Sequence, residues 1–369
     1  MSSDFHIIIP DHIKSIKSYS PGKTIPQLQR EFGWSRISIL WNNENTLGYS
    51  AKSKEAVIQA YERINYYPDP LSIDLRQKLS EKHQRKVDEI MLGNGSESVL
   101  MLAIKAFCSG GDQFLTSEGG FVIIYNWAKM NGTTCVTTPL NTQYEFDLPA
   151  ISSCITNRTK VIYLANTNNP TGTMISRSKL DDFLDQVPKH ILVIVDEAYF
   201  EFSNELAADF PDTTTYTHSN LLTLRTFSKA YGIAGVRLGY GIARPEIIEA
   251  LMKVKLTFEP TALAQAAGLG ALSDTEFLDK TVKNNSKELS KLYQSFDRLG
   301  IKYVPSFANF IMTIWDSEKE VQEVFTELMK VGVLVRPLMP PVSHCIRISV
   351  GIPEENQHLI ESLEVIVKK

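Results

Sequence analysis

The chain has 369 residues, 43% of them apolar, with 20 Gly and 17 Pro, a composition that excludes disordered, fibrous and low-complexity classes. Its 38 basic against 42 acidic residues leave a formal charge of −4, which argues against a general nucleic-acid surface. The length suits about two domains with a cleft between them, no apolar run approaches the ~18 residues of a membrane span, and Cys108, Cys135, Cys154 and Cys345 have neither zinc nor redox spacing.

The first ten residues carry an acidic side chain and no basic leader, so the expectation is a cytoplasmic protein without a signal peptide. Residues 18–22 read as loop and 57–63 as helix, an N-terminal arm rather than a domain. From about residue 87 to 255, short apolar runs alternate with helical stretches, the pattern of a doubly wound α/β sheet. The runs at 160–165, 191–195 and 221–224 are near-continuous β-formers and predict strands buried on both faces. Ligands of such sheets bind beyond the carboxyl ends of the strands. Further on, Leu289, Leu292, Phe296 and Leu299 have helical spacing. Strands are predicted at 310–315, 333–336 and 345–350, and helices through 321–328 and 359–367, a compact α+β unit reached by a linker within 256–271.

Four segments carry polar residues at strand ends. Gly93-Asn94-Gly95-Ser96-Glu97-Ser98 opens an amphipathic helix through Val99, Leu102 and Ala106; its N–H groups and positive dipole end suit an anion, although a capping turn alone explains it equally well. Asn166-Thr167-Asn168-Asn169-Pro170-Thr171-Gly172 reads by itself as a tight βα turn as readily as a site. Asp196-Glu197-Ala198-Tyr199 closes an apolar run, where a carboxylate needs a cationic partner unless it caps a helix. Arg225-Thr226-Phe227-Ser228-Lys229 places a lysine among small and hydroxyl residues at a strand end, with Arg237 eight residues on. Burial there pushes the amine toward neutrality and makes it a nucleophile for a carbonyl. Anion site, amide, carboxylate, lysine and arginine, in that order, suit an aromatic aldehyde cofactor with a phosphate and a basic ring nitrogen, which is pyridoxal phosphate.

The runs Asn168-Asn-Pro-Thr-Gly172, Asp196-Glu-Ala-Tyr199 and Arg225-Thr-Phe-Ser-Lys-Ala-Tyr-Gly-Ile-Ala-Gly-Val-Arg237 resemble the class II members of the fold-type I aminotransferases, and within them the histidinol-phosphate branch. Tyr19-Ser-Pro-Gly-Lys23, Asn43-Glu44-Asn45, Tyr67-Pro-Asp69, Val335-Arg336-Pro337 and Ile346-Arg347-Ile348 extend the likeness over nearly the whole chain. The resemblance implies a large, doubly wound, mainly parallel α/β domain at 46–262, a smaller α+β domain at 263–369, and an arm at 1–45 that joins the latter. It implies a homodimer with shared active sites that moves an amino group between a phosphorylated or acidic amine, histidinol phosphate of histidine biosynthesis being the best match, and 2-oxoglutarate. Another amino-acid or aromatic aminotransferase, and a lyase resembling threonine-phosphate decarboxylase, are the alternatives. No metal, nucleic acid or membrane partner is implied.

Position by position, the resemblance makes Lys229 the cofactor-bearing lysine and Asp196 the partner of the ring nitrogen. Asn169 and Tyr199 would meet the ring 3′-oxygen, and Phe121 would stack on the ring. Gly95, Ser96, Glu97, Thr226, Ser228 and Arg237 would hold the phosphate, with Tyr67 reaching in from the second subunit. Arg347, helped by Arg336, would grip the acidic end of the substrate, and Tyr19 and Asn45 would line the pocket. Two segments depart from the family pattern. Gly119-Gly120-Phe121 with Tyr125 stands where Pro-Thr-Tyr or Pro-Thr-Phe and a second tyrosine are usual, and Asn45-Thr46 where Asn-Pro is usual. Both leave the cofactor residues intact and alter the substrate wall. The histidines lack ligand spacing, the four tryptophans read as packing groups, and an intact Lys229 argues against a non-catalytic binding module.

Overall fold

The computed structural model describes residues 9–17 and 23–367; Tyr19 and the loop at 18–22 lie outside the described residues. After β1 (Ser38–Ile39) the chain forms the helices Ala51–Tyr61 and Ile73–His83 and then enters its main sheet. This sheet comprises β2 (Ile90–Gly93), β3 (Gln113–Ser117), β4 (Thr134–Thr138), β5 (Thr159–Ala165), β6 (Leu192–Asp196), β7 (Leu221–Thr226) and β8 (Gly239–Ala243), in the order β2-β8-β7-β6-β5-β3-β4. All neighbours are parallel except β8, which is antiparallel to both β2 and β7. The expected α/β, mainly parallel sheet is therefore present, and β5, β6 and β7 are the three strands read from the apolar runs. Val161 to Leu164 and Val193 to Val195 are fully buried because helices cover both faces. Each of β6 and β7 extends past its apolar run to a polar end residue, Asp196 and Thr226.

The second unit contains β9 (Lys302–Val304), β10 (Phe310–Ile314), β11 (Val333–Leu334), β12 (Arg336–Pro337) and β13 (Cys345–Ser349). β12, β13, β10 and β9 form an antiparallel sheet. The single strand expected at 333–336 is broken in two: β11 pairs in parallel with β1, while β12 turns to β13. The N-terminal arm is thus tied to the small unit by backbone hydrogen bonds. Leu289, Leu292 and Phe296 of the long helix Thr275–Leu299 pack there with Val321, Leu328, Leu359 and Leu363.

Much of the stretch expected as a linker is the helix Ala262–Leu272. Its Ala264, Ala267 and Ala271 share a core with Leu75, Leu238 and Tyr240. Small residues allow this close packing: a Cβ on Gly270 would lie 2.4 Å from the Lys52 carbonyl oxygen. Among the described residues no helix is long and apolar enough to cross a membrane.

Candidate active site

The carboxyl ends of β5, β6 and β7 open into a cavity of about 390 Å³. Eleven residues singled out in the sequence line it: Gly95, Ser96, Glu97, Phe121, Asn169, Asp196, Tyr199, Thr226, Ser228, Lys229 and Arg237. Asp196 ends β6, and its backbone carbonyl accepts from Asn166 N–H at 2.9 Å, which welds the two polar loops together. Its carboxylate oxygens accept from the Tyr163 hydroxyl (2.9 Å) and the Ala198 N–H (3.2 Å). Burial pushes this carboxyl up to about 6, against the pull of those two hydrogen bonds and of Lys229. A buried carboxylate held only by neutral donors suits a cationic partner such as a protonated ring nitrogen.

Lys229 follows β7 by three residues and donates from Nζ to the Asn42 carbonyl oxygen at 2.9 Å. Burial lowers the amine to about 8; the Arg347 and Arg237 cations push the same way, and Glu44 and Asp196 oppose. An appreciable fraction is therefore a free nucleophile near neutral pH. The Tyr199 ring centroid lies 5.8 Å from Nζ, and its hydroxyl accepts from Asn43 Nδ2 at 3.0 Å.

At the opposite wall, Gly95 (φ 81°) caps the helix Ser96–Phe107, so the first N–H groups of that helix face the cavity. Thr226 Oγ1 donates to Ser228 Oγ at 3.0 Å, and Arg237 Nη1 stands 3.5 Å from the same Ser228 oxygen. Arg237 is itself in the left-handed region (φ 59°), which turns its guanidinium back over Gly95; a Cβ on Gly95 would lie 2.9 Å from Arg237 Nη2. Helix N-terminus, two hydroxyls and a guanidinium make an anion cradle of phosphate chemistry. Glu97 is anchored by the Trp127 indole N–H at 3.1 Å.

Arg347, on β13, reaches across from the small unit and donates from Nη1 to Asn169 Oδ1 at 2.6 Å; Nη2 donates to the Trp41 carbonyl oxygen. Its Nε is buried without a partner. Arg336 is exposed and donates to Asn42 Oδ1 at 2.7 Å. Neither fork lines the cavity itself, but each bonds a residue that does, Asn169 for Arg347 and Asn42 for Arg336.

One further expectation comes out differently. Asn45 does not line the cavity: its amide donates to the Ala230 carbonyl oxygen (3.1 Å) and Thr281 Oγ1 (3.0 Å), and Asn42 and Glu44 face the cavity instead. Tyr67 is 80% exposed and stacks on Phe258, with centroids 4.2 Å apart, away from this chain's own cavity. Tyr19 lies outside the described residues. The Gly119-Gly120 departure has a physical reason. Gly119 sits at φ 70°, which proline cannot adopt, and its carbonyl oxygen accepts from Asn168 Nδ2 at 3.2 Å. Tyr125 donates to the Ser117 carbonyl oxygen and accepts from Gly120 N–H, so it braces this loop. Tyr163, which lines the cavity from within β5, lies in an apolar run; its one signal is a phenol set between the aliphatic residues Ile162 and Leu164.

A model of the aminotransferase class I and II family matches residues 39–363. Histidinol-phosphate aminotransferase 2 of Carboxydothermus hydrogenoformans is 37% identical over 359 residues, covering 96% of this chain and 98% of its own. The crystal structure of histidinol-phosphate aminotransferase from Sinorhizobium meliloti, in complex with pyridoxal-5′-phosphate, superposes with a TM-score of 0.89 at 26% identity over 98% of both chains. L-threonine-O-3-phosphate decarboxylase of Porphyromonas gingivalis shares the fold, with a TM-score of 0.78 at 20% identity over 90% of this chain and all of its own.

Proposed function

The chain belongs to the class I and II aminotransferases, and from that premise we propose that it is a pyridoxal-phosphate-dependent transaminase of histidine biosynthesis, moving the amino group of histidinol phosphate to 2-oxoglutarate. The observation that carries this reading is the convergence of Lys229, Asp196 and the Ser96–Thr226–Ser228–Arg237 anion cradle on one cavity. When bound, pyridoxal phosphate supplies an aldehyde that receives the amino group and a conjugated ring that accepts the electron pair left on the substrate α-carbon.

We assign the remaining work to this chain's residues. The Lys229 amine holds the cofactor and then carries the proton taken from the substrate Cα. Asp196 keeps a proton on the ring nitrogen, and Asn169 and Tyr199 fix the 3′-oxygen. The cradle anchors the phosphate, and Phe121 packs on the ring. Arg347 and Arg336 bind the anionic end of donor and acceptor, planar forks for phosphate or carboxylate. We further assign a homodimer in the cytoplasm, where four free thiols stay reduced. The exposed apolar side chains Tyr61, Tyr66, Tyr67, Leu71 and Leu256 support that reading, as groups a second subunit would cover.

Purified protein supplied with histidinol phosphate and 2-oxoglutarate should form glutamate, and Lys229→Ala should lose both turnover and the visible band of bound cofactor. Carbon dioxide release from threonine phosphate, or turnover only with aromatic amino acids, would overturn the substrate assignment; no visible band in the native protein would overturn the chemistry.

A further inference from the structure

Tyr163 lies in the middle of β5, fully buried, with its ring against Phe114 on one side and the cavity on the other. A buried phenol needs an acceptor for its O–H. Here the acceptor is Asp196 Oδ2, 2.9 Å away on the adjacent parallel strand. The β5–β6 register sets Ala165 opposite Asp196, two residues past Tyr163, so the phenol reaches forward along the strand to the carboxylate. Asp196 Oδ1 is held by the Ala198 N–H. Each carboxylate oxygen thus has one neutral donor and capacity to accept another, and Asp196 lines the cavity.

We propose that Tyr163 is a positioning residue for Asp196: its hydroxyl fixes the carboxylate's rotation and favours its ionised form, and so sets on which side of the Asp196–ring-nitrogen contact the proton resides. This rests on the pyridoxal-phosphate reading above. The titratable groups that face the pair are few. Lys229 bears on Asp196 from beyond β7, and Tyr199 from the loop after β6. Tyr125, from the helix packed against β3, bears on Tyr163, but its hydroxyl is committed to Ser117 and Gly120. Of these, only Tyr163 donates a hydrogen bond to a carboxylate oxygen of Asp196. Packing alone does not require the hydroxyl, since a phenylalanine fills the same space. Its removal leaves Oδ2 with no donor from the described residues, so burial drives the carboxyl further toward its neutral form. A neutral Asp196 holds the ring-nitrogen proton poorly.

The test compares wild-type and Tyr163→Phe holoenzymes loaded with pyridoxal phosphate carrying an NMR-active isotope at the ring nitrogen. The variant's ring-nitrogen signal should move toward the unprotonated position, and the cofactor dissociation constant should rise about tenfold, as for a lost hydrogen bond to a charged group. Turnover should fall with little change in the KM of the amine donor. A second variant with 3-fluorotyrosine at position 163, a stronger donor of nearly the same shape, should move the signal the opposite way. It carries the test if Tyr163→Phe does not fold. Ring-nitrogen signals that match wild type in a folded variant would overturn the role of Tyr163 while leaving the cofactor reading intact. A wild-type protein that takes up no cofactor would overturn that reading, and this role with it.

Discussion

Asn43, held in the left-handed region at φ 57°, donates from Nδ2 to the Tyr199 hydroxyl at 3.0 Å. The same residue donates its N–H to Ser349 Oγ, accepts from that hydroxyl at Oδ1, and accepts from Asn309 Nδ2 at its carbonyl oxygen. One buried residue of the N-terminal arm therefore couples the large unit's tyrosine to the small unit, to Ser349 through its side chain and backbone N–H and to Asn309 through its backbone carbonyl. Asn43→Ala loses these side-chain bonds and forces a Cβ-bearing residue without local hydrogen bonding into left-handed backbone, so it should cost roughly 2–4 kcal/mol in urea denaturation. Asn43→Gly keeps the turn and should recover about 1 kcal/mol of that loss. Equal destabilisation by the two variants would show that the backbone conformation contributes nothing.

Lys229 gives a pH signature in the apoprotein. Its ordinary value of 10.5 falls to about 8 in the fold, chiefly through burial. Between those values the folded state binds fewer protons than the unfolded chain, so this group makes stability rise with pH across the window. Replacing it by a neutral side chain removes that dependence. Lys229→Met apoprotein should be more stable than wild type near pH 7, and the difference should shrink above about pH 8 and vanish beyond about pH 10.5. Denaturation midpoints measured across this range check it; a constant difference would place the amine in water.

The strands that build the site were legible because β5, β6 and β7 are buried on both faces and so appear as unbroken β-formers, with their functional residues just past the apolar run. What escaped reading lacks such a pattern. The helix Ala262–Leu272 is so rich in Ala and Gly that its apolar face has no contrast with the rest. The break between Leu334 and Arg336 is set by two different partner strands, β1 and β13, one of them some 300 residues away in the chain. Asn43-Glu44-Asn45 lies in irregular chain, where no periodicity tells which side chain faces inward; Glu44 does, Asn45 does not. Gly119 read as a loss of the usual Pro-Thr, yet its positive φ makes it a different turn with its own hydrogen bond to Asn168.

Arg347 is the fork that the small unit inserts between Asn169 and the Trp41 carbonyl oxygen. An ammonium cannot serve both acceptors and still present two parallel donors to an anion. Arg347→Lys should raise the KM of the phosphorylated donor by about a hundredfold, the size of a lost charge-assisted bidentate contact. Arg336 is exposed and bound to Asn42, so Arg336→Lys should raise it by no more than about tenfold. Steady-state kinetics with the donor varied at saturating oxo acid separates the two, and a larger effect at Arg336 would reverse the assignment.

Gly239 begins β8 directly beneath the anion cradle, opposite Gly93 of β2 and Thr226 of β7. A Cβ there would lie 2.1 Å from the Ser96 backbone nitrogen and 2.5 Å from the Gly95 carbonyl carbon. Neither atom is the end of a flexible side chain, so Gly239→Ala must push the start of the helix Ser96–Phe107 out of place. Affinity for pyridoxal phosphate should fall at least about tenfold, whereas affinity for unphosphorylated pyridoxal should change much less. Equal loss for both ligands would show that the whole cavity, rather than the cradle, has shifted.

Tyr67 supplies the test of a shared site. It is stacked on Phe258 in an exposed position, where its hydroxyl is free of this chain's own cavity, and we assign it to the phosphate of the partner subunit's cofactor. Tyr67→Phe and Lys229→Ala homodimers should each be impaired, the first by about 1 kcal/mol or more of lost phosphate binding and the second completely. Unfolding and refolding a mixture produces hybrids in which the Tyr67→Phe subunit keeps its lysine and receives an intact tyrosine from its neighbour, while the other site carries both lesions. Cofactor affinity in the hybrid's working site should return to the wild-type value. If each subunit supplied its own Tyr67, the mixture would retain only the weakened affinity of the Tyr67→Phe protein.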